Sequence, residues 1–151
     1  MNRSRRKGSG LIEFALGFSA LVILLVGMVE IAVTMVMMNQ LTAAVRSGAR
    51  FASTVDFDDP GNRFVNQIRN VVVYGVPLPG EETQPAAPGL TPSNVVVTWE
   101  RDAAGAPRSI TVSLHAYRVP LFFGEHELDN RPRMTVQHSG AWSPARAALS
   151  H

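Results

Sequence analysis

The segment Arg3-Ser-Arg-Arg-Lys-Gly-Ser-Gly-Leu-Ile-Glu-Phe-Ala-Leu16 sets a carboxylate, Glu13, at the entrance of a long apolar run. Insertion scales charge about 2.5–3.5 kcal/mol for an acid at the centre of a membrane span, so a carboxylate at its edge calls for a cation. Two sources are within reach. One is the basic cluster Arg3, Arg5, Arg6 and Lys7; the other is a new α-amino group made by cutting the chain just before the run. A cut between Gly8 and Ser9 would make Glu13 the fifth residue of the product and give Ser9 a positive charge. Glycine at that bond leaves an unhindered, flexible backbone for a protease. The chemistry these residues suggest is therefore hydrolysis performed on the chain.

Chemistry performed by the chain finds less support. There is no cysteine, no G-x-S-x-G and no phosphate loop, and one of the four histidines is the last residue. Asp56-Phe-Asp58-Asp59-Pro60-Gly61-Asn62 resembles the opening of a calcium loop, but Pro60 occupies a ligand position and Gln67 stands where a bidentate Glu is needed. These residues read better as a helix N-cap cluster. Glu125-His126-Glu127, Asp129 and His138 offer metal-ligand types without H-E-x-x-H spacing, and neighbours in an extended segment point apart. The expectation is no enzyme, no cofactor, no metal and no small-molecule ligand. Trp99 and Tyr117 read as strand residues packed on a sheet.

The elements that must position Glu13 begin with the apolar run. From Phe14 to Met38, 25 residues contain one ionisable side chain, Glu30. At about 1.5 Å per residue, such a helix matches the ~30 Å hydrocarbon core of a bilayer. The basic cluster before it and the neutral Asn39 and Gln40 after it place the N-terminus in the cytoplasm and the rest outside. A cleaved secretory signal is the competing reading, but its apolar region is typically about 7–15 residues and ends at a small-x-small site. Glu30, about 25 Å along the helix from Glu13, either pairs with another membrane subunit or reaches the outer interface and is wet.

Helical period continues beyond the span. Leu41, Ala44, Val45, Gly48, Ala49 and Ala52 form a stripe of mostly small residues, while Arg46 and Arg50 share another face. One helix from about Leu11 to Ser53 is the economical expectation. A second short helix is expected from an Asp58-Asp59-Pro60 start, through Phe64, Ile68, Val71 and Val72, to Gly75. Val76 to Pro92 carries five prolines and two glycines and is expected to be a loop. Strands are expected at Asn94–Glu100, Ser109–Arg118 and Arg133–Gly140, the first two joined as a hairpin. The fold class is α+β, with a long membrane-spanning helix and an antiparallel sheet of about three strands.

Gly8 followed by Ser9-Gly-Leu-Ile-Glu-Phe14 resembles the prepilin cleavage signature: a basic leader ending in Gly, four residues, Glu, then an apolar helix. Together with Leu41-Thr-Ala-Ala-Val-Arg-Ser-Gly-Ala-Arg-Phe-Ala-Ser53, it resembles the TadE-like pseudopilins, or minor pilins, of tight-adherence (Tad/Flp) type IV pilus systems. The resemblance implies a leader at residues 1–8, removed by a membrane-embedded prepilin peptidase, a transmembrane helical half at 9–38 and an amphipathic half at 39–53. Residues 54–151 would form a pilin-like extracytoplasmic domain. It further implies that Glu13 pairs with a mature N-terminus during assembly, with Phe14 and Glu30 on the same helix. Implied partners are other pilins or pseudopilins and an inner-membrane assembly platform, and the implied role is pilus assembly or initiation in adhesion and biofilm formation. Ser9 and Gly10 at mature positions one and two depart from the Phe and Thr often found in other pilin branches. The alternative is an uncleaved, membrane-anchored periplasmic binding or adaptor module.

Cleavage would also reverse the charge. The intact chain has 14 basic and 12 acidic residues and a formal net charge of +2. Four of the basic residues lie in residues 1–8, which hold no acid, so the product would have ten basic residues against twelve acids, a net of −2. The basicity belongs to the leader, and no nucleic-acid partner is expected.

Overall fold

The computed structural model describes residues 5–57, 62–103, 105–121 and 124–140, with the backbone alone considered at 5–9, 120, 121 and 126. Helix α1 is Arg5–Thr54 and α2 is Arg63–Tyr74. A 3-10 turn at Pro92–Asn94 leads into β1 (Val95–Arg101), followed by β2 (Pro107–Leu114), β3 (Tyr117–Leu121), β4 (Gly124–Leu128) and β5 (Arg133–Gln137). The fold is α+β. Its larger sheet is antiparallel, with β2 central between β1 and β5, and β3 and β4 form a separate hairpin. The chain divides into two compact units, Met1–Val36 and Met37–His151.

Among the described residues the first unit is helix alone: no proline interrupts the ladder, and in an apolar medium a helix satisfies its backbone groups internally. The second unit has the core. Every residue of the small-residue stripe, Leu41, Ala44, Val45, Gly48, Ala49 and Ala52, is buried, and Arg46 and Arg50 are exposed. Phe64, Ile68 and Val72 from α2, Val95, Ile110, Val112 and Leu114 from the sheet, and Tyr117, Val119 and Leu128 from the hairpin complete it. Gly48 permits the closest approach: a Cβ there would run into Val72 Cγ2. That contact explains why the stripe uses the smallest side chain at its middle.

Helix α2 starts later than the Asp58-Asp59-Pro60 reading placed it. Its N-cap position is Asn62, with φ 51° and no side-chain cap bond, and Asp58, Asp59, Pro60 and Gly61 lie outside the described residues. Gly75 ends it at φ 76°, its N–H bonded to Val71 O at 2.9 Å. The proline-rich segment forms no helix or strand before Pro92, yet Ala87 and Leu90 are buried in the core. Tyr117 Oη donates to Pro88 O at 2.8 Å and Asn70 Nδ2 to Pro77 O at 3.0 Å, which tie the loop down.

The strand expected over Ser109–Arg118 is two strands. Period-two alternation continues through the sequence, but Ala116 adopts φ 50°, and the chain turns there out of β2 and into β3. Asn94 supports the turn, its Nδ2 donating to His115 O and Ala116 O at 3.3 Å each. The β3–β4 hairpin is thus an addition to the expected three strands. The first and third strands occur at Val95–Arg101 and Arg133–Gln137, each within a few residues of its sequence reading.

Candidate functional site

The residues of the proposed processing signal lie on the first turns of α1. Gly8 and Ser9 are within the helix by backbone, as are Arg5, Arg6 and Lys7, while Arg3 lies outside the described residues. Glu13 is exposed, and it makes no ion pair or side-chain hydrogen bond with any described residue. Phe14, 71% exposed, stacks on Phe18 one turn later with ring centroids 6.0 Å apart and planes 18° from parallel. Glu30 is half-buried, and its backbone carbonyl accepts a 2.8 Å bond from Thr34 Oγ1. Ser19 makes the same return bond to Ala15 O at 2.8 Å, so the hydroxyls of the run are satisfied within the helix.

Sixteen large apolar side chains between Leu11 and Val36 are each at least 40% exposed. They surround the helix instead of marking one stripe, which is the pattern of a helix whose medium is itself apolar. Monomeric soluble proteins rarely expose an apolar patch of that extent, and such patches mark membrane or protein contact. The run in α1 is long and apolar enough to cross a membrane.

The acids and histidines considered for a metal site are distributed separately. Glu125 and Glu127 flank Arg118 across the hairpin at 3.5 and 3.8 Å, and Asp129 pairs with His115 where the hairpin begins and ends. His138 lies elsewhere, at the C-terminal end of α1, and the side chain of His126 is not among those described. Among the described residues no three metal-ligating side chains gather.

His138 belongs to a feature that the sequence did not signal. Residues His138–Gly140 cross the last turn of α1 and satisfy carbonyls the helix itself cannot. His138 Nδ1 lies 3.1 Å from Ala52 O, so Nδ1 carries the proton; Ser139 N and Oγ donate to Ser53 O at 2.8 and 2.9 Å. Phe57 joins this strap to the core, its ring 4.9 Å from Phe64, 5.6 Å from Trp99 and 6.2 Å from His138. Only contacts distant in sequence define it, which is why composition and spacing could not.

The comparison with protein families bears on the N-terminal segment alone. Residues 8–50 match the family described as TadE-like protein. The match begins at Gly8 and includes Glu13, Phe14, Glu30 and the stripe from Leu41 to Ala49. No curated protein and no solved structure matches the chain. The TadE-like segment is therefore the apolar run and most of the buried stripe of α1, and the sheet and hairpin lie beyond it.

Proposed function

We propose that this chain is a pilin-like subunit of a Tad-type pilus system, a minor pilin or pseudopilin acting in assembly or initiation. The observation that carries the reading is the TadE-like match starting at Gly8, on a helix whose apolar surface is exposed on all sides. In this reading a prepilin peptidase hydrolyses the Gly8–Ser9 bond. Residues 1–8 are the leader, 9–38 the membrane half of α1, 39–53 its amphipathic half, and 54–151 the extracytoplasmic domain. Arg3, Arg5, Arg6 and Lys7 hold the N-terminus in the cytoplasm through the positive-inside rule.

Hydrolysis supplies a cation for Glu13. The new α-ammonium of Ser9 is four residues away, about 6 Å along the helix, close enough for its own or a neighbouring copy's carboxylate. Paired in an apolar medium, each charge offsets part of the penalty that the other would incur alone. Phe14 and Phe18 present an aromatic surface beside that pair, and Glu30 is a second attachment point for a membrane partner. The partners are the peptidase, other pilins or pseudopilins and the membrane-embedded assembly platform.

Complementation tests the proposal. A strain lacking the protein should fail to display pili and should recover them with wild type but not with Glu13→Ala, at equal protein level. Full piliation with Glu13→Ala, or unaltered piliation in the deletion strain, would refute the reading.

A further inference from the structure

Among the described residues, the exposed face of α1 in the second unit has no acidic partner. Arg46 and Arg50 are exposed, one helical turn apart, with Ala43 and Ser47 beside them. Neither arginine makes an ion pair with any described residue, in contrast to Arg118 and Arg69, which are engaged within the fold. The small neighbours leave the helix surface open to close approach.

The hairpin bears the complementary arrangement. Glu125 and Glu127 lie two apart on β4 and therefore on one face of the strand, with side chains 63% and 54% exposed. Among the described side chains they share one cation, Arg118, at 3.5 and 3.8 Å, so the two carboxylates outnumber it. Positions i and i+4 on a helix are about 6 Å apart along its axis, and i and i+2 on a strand are about 6.6 Å apart. Two guanidinium groups at the first spacing can meet two carboxylates at the second simultaneously, in the bidentate geometry that arginine favours.

We infer that the Arg46–Arg50 face of α1 docks on the Glu125–Glu127 face of β4 in a second copy of this chain. The contact joins two different surfaces, so each copy retains one free face of each kind and can add a further copy. It does not depend on the removal of residues 1–8, and its test is separate from that of processing.

The test uses two differently tagged full-length chains, co-expressed and recovered in detergent, with self-association read by co-purification and sedimentation. Wild type should associate, and association should fall as salt rises from about 0.1 to about 1 M, where the Debye length shrinks from ~10 to ~3 Å. Arg46→Glu with Arg50→Glu, and separately Glu125→Arg with Glu127→Arg, should each weaken self-association about tenfold. Mixing the two variants should restore it, because the reversed faces match again, and this recovery excludes misfolding as the cause of the losses. Undiminished self-association of the arginine variant would assign the contact to the apolar run and overturn the inference. Loss in both variants without recovery on mixing would overturn it equally.

Discussion

Replacing Gly48 with alanine tests the packing that joins α1 to α2. The added Cβ would overlap Val72 Cγ2 and approach Val72 Cβ to 3.5 Å and Ile68 O to 3.6 Å. Val72 is fully buried, and a β-branched side chain in a helix has one strongly preferred rotamer, so it cannot swing aside. Overpacking of this kind costs about 1–3 kcal/mol, offset by the ~1 kcal/mol by which alanine exceeds glycine as a helix former. Gly48→Ala should therefore destabilise the second unit by about 1 kcal/mol, the net of those two effects. Val72→Ala removes two buried methyl groups and should cost about 2 kcal/mol. In the double variant the clashing methyl is gone, and the new Cβ meets the remaining Val72 Cβ position at ordinary contact distance. Its destabilisation should fall short of the sum by about 1–2 kcal/mol, within the range seen for residues in contact. Urea-dependent pulse proteolysis of the full chain in detergent measures all three. Strict additivity, or a Gly48→Ala variant more stable than wild type, would refute the close approach of these helices.

Three further outcomes follow from individual contacts. Tyr117→Phe removes the donor to Pro88 O and should cost about 1–2 kcal/mol, with faster cleavage of the 76–92 segment in limited proteolysis. Burial raises the Tyr117 phenol above its ordinary 10.0. Its neutral form is thus the one the fold favours, and stability should be intact below pH 10.0 and fall as pH rises from there through the higher folded value; the Phe variant should lack that component in alkaline unfolding followed by circular dichroism. Gly140→Ala would place a Cβ against Val55 O and 2.7 Å from His138 Cε1, so it should loosen the strap on α1 and increase hydrogen exchange at Ser139 N–H.

Much of the architecture was legible because it rests on period and residue size. The stripe Leu41, Ala44, Val45, Gly48, Ala49 and Ala52 falls at helical spacing, and each member is buried. Gly75 announced the end of α2 through a backbone conformation that glycine adopts freely. Ala116 announced nothing: it takes φ 50° without being Gly, Asn or Asp, so the break between β2 and β3 left no trace in composition. Phe122 and Phe123 stand between β3 and β4 in the sequence, where an Asn-Gly or Asp-Gly pair would have indicated a hairpin. Asp and Pro at 58–60 form a strong local signal for a helix start, whereas α2 begins at Arg63 behind a left-handed Asn62. For the candidate site, the type and order of residues from Gly8 to Phe14 carried nearly all the information, since the described members, residues 10–14, are all exposed on the helix.

The central claim is that this chain is a processed pilin-like subunit, and the N-terminus of the protein recovered from cells tests it most directly. Mass spectrometry should find a chain beginning at Ser9 when a prepilin peptidase is present, and residues 1–8 retained when the peptidase is absent or Gly8 is replaced by alanine. A chain retaining residues 1–8 in the presence of an active peptidase would contradict the account and leave an uncleaved membrane-anchored module.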